Sequence, residues 1–445
     1  MVLAKDGIFK TRPGTVKVFE STAPIRGLGS YGQSLAIATD NTLYVGGVAR
    51  GSCDTTYTVG LVEFKDVLCI LDGGNLKVYD GVSITTVSIA PKARFGLSRT
   101  NRLWLAGDPD NPSTLWYSGV NDYTDWGETG LELGGFFDIN PTAGSWISGL
   151  ALFFDTILIF KDGNEKKIYR LDGTTQENFT VRDVIGGTTC VSHRTTAFSP
   201  VGTLFYSDSG VYSFDGSKSV VVPIATKILD QLNFTDNSKV SAVFWADESL
   251  YLLAYENYIF AFNVNVGAWY KWEFPYTISA ITVVGKNCYI GTEEGKVYRL
   301  DWNVYDDDGE AIESSVSTPF YDLGDSSITK YIKYVYMFIF PYGGGTLKVD
   351  FDADYATLRG VFTGGAGISP SGSLDFTFEA GAGWDDPNVG WDDPNVGWDG
   401  VIAVPLVVKI PISARCRNIQ FIVHSDDTPF SLYGVEISGA VLRPA

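Results

Sequence analysis

Asp208–Gly216 reads DSGVYSFDG, and three other stretches end in nearly the same phrase: Gly74–Gly81 (GNLKVYDG), Glu165–Gly173 (EKKIYRLDG) and Glu294–Trp302 (EGKVYRLDW). Each joins a turn residue to a short apolar–Tyr alternation and leaves through Asp-Gly or Asp-Trp. Alternation of period two marks a half-buried strand, and Asp-Gly marks the turn that follows it. Tyr258–Asn263 (YIFAFN) is a weaker copy, and Tyr117 fills the remaining gap. The anchors Tyr79, Tyr117, Tyr169, Tyr212, Phe260 and Tyr298 recur about every 40–50 residues, the length of one four-stranded blade of a β-propeller.

Working outward, candidate blades occupy Gln33–Gly47, Val59–Gly81, Ala93–Ser118, Ser145–Gly173, Cys190–Gly216, Lys239–Trp272 and Thr277–Trp302. The first two are irregular enough to merge, so the pattern predicts six or seven blades over residues 21–305. Residues 1–20 contain a turn and an alternating run, Arg12–Glu20 (RPGTVKVFE), that reads as an arm able to close the ring by joining the last blade. Helix signals are nearly absent; Pro223–Leu232 (PIATKILDQL) alone carries apolar residues at helical spacing.

After Trp302 the period is lost. An acidic turn, Tyr305–Glu310 (YDDDGE), marks a boundary, and longer alternating runs follow, among them Tyr331–Phe340, Thr346–Phe351, Asn418–Val423 and Phe430–Ile437. Residues 306–445 therefore read as a β-sandwich, and the fold class as all-β throughout. One low-complexity insert interrupts it: Gly383–Gly400, GWDDPNVGWDDPNVGWDG. Pro and Gly in every heptad rule out a coiled coil and leave a loop of stacked turns. Trp384, Trp391 and Trp398, with Asp385 and Asp392, form a candidate interaction loop, since clustered exposed Trp marks binding surfaces.

The 445 residues carry 33 basic and 52 acidic side chains, a net charge of −19. Such a chain is a poor nucleic-acid binder by counterion release, although like charge lets DNA pass without sticking. Cys53, Cys69, Cys190, Cys288 and Cys416 are odd in number, scattered and set in apolar runs, which predicts buried free thiols and folding in a reducing compartment. No apolar run approaches the roughly 18 residues of a membrane span.

Chemical motifs test poorly. Gly27–Gly32 (GLGSYG) matches GxGxxG, but a strand pattern follows it where a dinucleotide site needs a helix. His193 and His424 are the only histidines, which excludes multi-His metal sites and leaves no GxSxG-type triad. Asp306, Asp307, Asp308 and Glu310 are oxygen-rich but contiguous, unlike a calcium loop; they are the candidate acidic boundary or channel lining. Tyr206–Tyr212 superficially resembles an Asp-box turn without its closing Trp. No catalytic residue, cofactor or metal is expected.

Several phrases resemble the tail-hub or nozzle (packaged-DNA stabilisation) proteins of short-tailed bacteriophages. The strongest is Arg102–Glu128, RLWLAGDPDNPSTLWYSGVNDYTDWGE, in which Trp104, Asp108, Pro109, Tyr117, Ser118, Asp125 and Trp126 carry the likeness. Phe153–Gly173, Gly186–Gly216, Arg12–Glu20 and Asn418–Ile437 add to it in order along the chain. The resemblance implies a virion tail protein, assembled in the host cytoplasm, without enzymatic activity. It further implies a homo-oligomeric six-fold ring below portal and adaptor, continuing the DNA channel, retaining packaged DNA and docking fibres or spikes. A sugar- or receptor-binding propeller at a tail tip, with the three Trp stacking on sugar rings, is the alternative.

Overall fold

The computed structural model describes residues 2–3, 8–53, 58–127, 133–216, 221–223, 228–342, 345–354, 371–378, 406–426 and 429–441. Almost every regular element is a strand, and the chain divides into two compact units: Val16–Leu300, and Met1–Thr15 together with Asp301–Ala445.

The first unit is a seven-bladed β-propeller. Six consecutive four-stranded antiparallel sheets span residues 25–52, 60–86, 95–138, 145–186, 197–223 and 241–273. The seventh takes three strands from residues 278–301 and its fourth strand, Gly14–Glu20, from the other end of the chain; in the same sheet Thr15 pairs onward with Asp307 of the short hairpin Asp306–Ala311. The innermost strands are Ile25–Tyr31, Gly60–Phe64, Phe95–Arg99, Ser145–Phe153, Ala197–Ser199, Ser241–Trp245 and Ile278–Val284. Each lies beside the next, and the seventh returns to the first. At the closing strand, Ser21 N–H donates to Gly295 O at 2.9 Å. A Cβ on Gly295 would lie 2.3 Å from Ser21 O, and its φ is +82°, so this crossing requires glycine.

The recurring phrase is the third strand of each blade, Lys77–Tyr79, Lys167–Asp172, Gly210–Phe214 and Lys296–Asp301 among them. Its aromatic residues pack between blades. Tyr79 is buried with Ala36 and Leu43 of blade one, and Tyr117 with Ile147 and Leu150 of blade four. Blade one has its own anchor, Tyr44 in Thr42–Val45, in edge contact with Phe19 of the closing strand, ring centroids 4.8 Å apart. Of Pro223–Leu232, where the apolar spacing is helical, the described residues hold no α-helix: Pro223 ends the outer strand Val221–Pro223 of a blade, and Leu229–Gln231 is a single 3-10 turn.

The second unit is a β-sandwich. One sheet has the order Val2–Leu3, Phe9–Lys10, Phe430–Val441, Lys330–Pro341, Leu406–Cys416; the other, Ser314–Ser317, Ile419–Ser425, Gly345–Ala353, Ser371–Phe378. Alternating residues of both, including Ile332, Val335, Val349, Phe351, Phe421 and Val423, form one buried core. Residues 1–20 are therefore not one arm: Phe9 and Lys10 pair with Leu432 and Ser431 of the sandwich, and only Gly14–Glu20 joins a blade. All five cysteines are buried free thiols. Among the described residues no helix is long and apolar enough to cross a membrane.

Within the second unit one ion pair joins distant parts of the chain. Arg12 and Asp307 are 6% and 3% exposed. Arg12 Nη1 donates to Asp307 Oδ1 at 3.0 Å, Nη2 donates to Oδ2, and Thr15 Oγ1 donates to Oδ1 at 3.2 Å. Removing one partner of such a pair strands a buried charge, whereas replacing both with apolar groups does not. Asp307→Asn is expected to cost roughly 3–5 kcal/mol, read from urea unfolding of the sandwich. The double change Arg12→Met with Asp307→Leu is expected to recover most of that loss; an Asp307→Asn protein as stable as the parent would contradict this role.

Candidate functional site

Where the innermost strands converge there is little room for side chains. A Cβ on Gly27 would lie 2.4 Å from Val59 O, and one on Gly96 2.4 Å from Trp104 O. Gly27 allows blade one to approach the entry to blade two closely, and Gly96 allows its strand to lie close to the next strand of its own blade, Arg102–Ala106. Gly27 and Gly29 of the GxGxxG match thus pack against blade two, and Gly32, at φ +59°, makes the hairpin turn after Ile25–Tyr31.

Two cavities lie on the axis, of about 390 Å³ and 520 Å³. The first is walled by all seven blades, with apolar residues such as Leu28, Leu61, Leu97 and Ile281 and two hydroxyl residues, Thr196 and Ser241. Val59, Gly60, His193 and Arg194 border both cavities and form the divide between them.

His193 and Arg194 stand there because blade five breaks the pattern. Its innermost strand, Ala197–Ser199, has only three residues, and the 3-10 turn His193–Thr195 precedes it. The turn is held by Thr195 Oγ1 donating to Ser192 O at 2.7 Å and Thr196 Oγ1 donating to His193 O at 2.9 Å. From it, Arg194 reaches across the axis. Nη1 donates to Ser238 O, before the innermost strand of blade six, at 3.4 Å, and Nη2 donates to Ser279 O of blade seven. The ring of His193 stacks on Phe95, centroids 4.7 Å apart and planes 17° apart, and its Nδ1 accepts the Leu150 N–H at 3.2 Å. Burial, with Arg194's charge beside it, pushes the His193 pKa down to about 4, so the ring is neutral at pH 7. Burial likewise lowers the Arg194 pKa to about 10, against a partial opposing pull from Glu293, and it stays charged.

The residues singled out from sequence lie elsewhere, with two exceptions, Asp108 and Pro109. Trp104, Tyr117, Ser118 and Trp126 are buried framework of blade three. Trp104 Nε1 donates to Arg99 O at 3.2 Å, Ser118 Oγ accepts Leu103 N–H at 3.0 Å, and Trp126 Nε1 donates to Tyr123 O at 2.8 Å. Asp125 caps a loop, its Oδ1 accepting Gly127 N–H at 3.0 Å. Asp108, buried, accepts from Asp110 N–H and Asn111 Nδ2 at 3.0 and 2.9 Å; it and the exposed Pro109 border the larger cavity. Asp306, Asp308 and Glu310 are exposed in a tight hairpin, but Asp307 is buried and neutralised by Arg12. The four do not act together as a channel lining, and the smaller axial cavity has no carboxylate in its wall among the described residues. Trp384, Asp385, Trp391, Asp392 and Trp398 lie outside the described residues.

Arg194 was missed by motif reading. The signal was present: GGTTCVSHRTT puts polar residues where other blades carry an apolar innermost strand.

No protein-family model matches the chain. No curated protein matches it. Among solved structures it is similar to the virginiamycin B lyase of Staphylococcus aureus crystallised with quinupristin, at 12% identity and TM-score 0.47, over 66% of this chain and 99% of that one. BamB from Moraxella catarrhalis is similar at 13% identity and TM-score 0.43, over 66% and 90%. The computationally designed protein Ika8 is similar at 12% identity and TM-score 0.42, over 66% and 100%. These likenesses say nothing of what this chain binds or does, and the seven-bladed ring stands on the strand pairing described above.

The neutral His193 has a pH consequence. Its pKa is about 4 in the folded protein against 6.5 in an exposed ring, so the unfolded chain takes up the proton first. The stability it contributes is whole above pH 6.5 and is lost as pH falls toward 4. The melting temperature is expected to drop across that window. His193→Gln keeps an acceptor for Leu150 N–H but cannot titrate, and it is expected to flatten the drop; an equally steep fall in the variant would assign it to other groups.

Proposed function

We propose that this chain is a structural subunit of a short-tailed phage tail, of the hub or nozzle kind, without catalytic activity. The observation that carries the reading is the run of family-like phrases in chain order, Arg12–Glu20, Arg102–Glu128, Phe153–Gly173, Gly186–Gly216 and Asn418–Ile437. In blade three the strongest of them builds framework: its aromatic, Ser and Asp side chains bond to nearby backbone and hold loops. A motif of that kind suits a protein whose task is shape.

The propeller's own axis does not serve as a DNA conduit in this reading. Its cavities have the size of small-molecule pockets, and Arg194 crosses between blades. The conduit instead runs between subunits of a closed ring, where −19 per chain repels the phosphate backbone and keeps DNA moving. Portal and adaptor on one side and fibres or spikes on another are the partners such a ring would meet.

Negative-stain imaging of the purified protein, with native mass spectrometry, tests the ring. Closed rings of six subunits are expected, alone or on addition of tail components. A chain that remains monomeric in both assays and is absent from purified phage particles would overturn the reading.

A further inference from the structure

We propose that the axial cavity of the propeller binds a small organic monocarboxylate with a flat apolar body, its carboxylate held by Arg194 and the Nε2–H of His193.

Charge comes first. Several cations of this propeller sit beside carboxylates, as Arg26 does with Asp40 and Glu293, and Arg170 with Asp172, whereas Arg99 and Arg194 bond to backbone carbonyls, and of these two Arg194 borders the axial cavities. Arg194 has no carboxylate within ion-pair distance among the described residues. Its bonds go to two neutral carbonyls, Ser238 O and Ser279 O, and Glu293 acts only from further away. A guanidinium has five N–H donors, so three remain for a ligand. A charge held among apolar walls without a counter-ion is costly, and a bound anion would offset that cost.

The second donor is fixed by tautomer. His193 Nδ1 is occupied by the Leu150 N–H, so the neutral ring carries its proton on Nε2. That N–H has no partner in the protein among the described residues, and the ring borders both cavities. Stacking on Phe95 holds its plane.

Ser241 supplies a third polar group. It is 3% exposed, it lines the smaller cavity, and its Oγ has no hydrogen-bond partner. Buried hydroxyls are ordinarily bonded; this one is closed off where it stands, and a rotation about χ1 is what would turn it to a ligand in the cavity.

The remaining wall selects the body of the ligand. Leu28, Leu61, Leu97 and Ile281 present apolar surface, and a volume of about 390 Å³ suits a molecule of modest size. One guanidinium matches a carboxylate in the bidentate manner. Duplex DNA and proteins are too large to enter.

The inference does not depend on the tail-protein reading, and its test uses the full chain. Benzoate is the probe, and benzamide the neutral control of the same shape. Isothermal titration and ligand-observed saturation-transfer NMR should show saturable benzoate binding with Kd below ~1 mM. Benzamide should bind at least about tenfold more weakly, the loss of one charge-assisted contact. Arg194→Met should lose benzoate binding. Because that change could disturb blade packing, Ser241→Val is the second variant; it leaves Arg194 in place and should weaken benzoate several-fold. Equal binding of benzoate and benzamide, no benzoate binding up to ~10 mM, or undiminished binding by a folded Arg194→Met protein would each overturn the proposal.

Discussion

Everything in the first unit depends on one pairing between the ends of the propeller segment: the strand Gly14–Glu20 alongside Lys296–Asp301. Without it the seventh sheet has three strands and an open edge, and the first and last blades keep their apolar packing and the Arg26–Glu293 ion pair. With it, the backbone hydrogen bonds of the last blade close through residues far apart in sequence, and the edge of Lys296–Asp301 is covered. Phe19 from the same strand reaches Tyr44 of blade one. One strand thus completes blade seven and packs on blade one.

Closure has a consequence at the axis. Seven innermost strands meeting around one line leave room for little beyond glycine and small or aliphatic side chains, as Gly27, Gly96, Ala151 and Ala280 show. Blade five departs from this. It gives up most of its innermost strand, and the turn that replaces it carries the two polar side chains that divide the axial space. The regular blades make the scaffold, and the irregular one makes the chemistry. The carbonyls that hold Arg194 come from blade seven and from the approach to blade six, so the site exists only in the closed ring.

Much of the fold was legible because a propeller repeats the same local problem. Each third strand needs an aromatic side chain between blades and a tight exit turn, and the pair Tyr with Asp-Gly solves both. Blade one was hard to count because its third strand leaves through Gly46 and Gly47, at φ +60° and +78°, without the Asp-Gly signature around Tyr44. Asp307 was misread for a different reason. Three of its acidic neighbours are solvated, and its own partner, Arg12, lies 295 residues away. Pairings of that separation leave no local trace. The same holds for Arg194, whose partners belong to two other blades; only the loss of apolar alternation around Cys190–Thr196 marked the place.

The closing strand is the most direct point at which to test this account. Backbone amide hydrogen exchange on the intact protein, resolved by peptide, compares Val16–Glu20 with the outer strands of blades two to six. Protection of 16–20 equal to or above theirs, rising together with that of 296–301, is the predicted result. Exchange of 16–20 as fast as that of an unstructured terminus, while the six other blades stay protected, would contradict a ring closed by this strand.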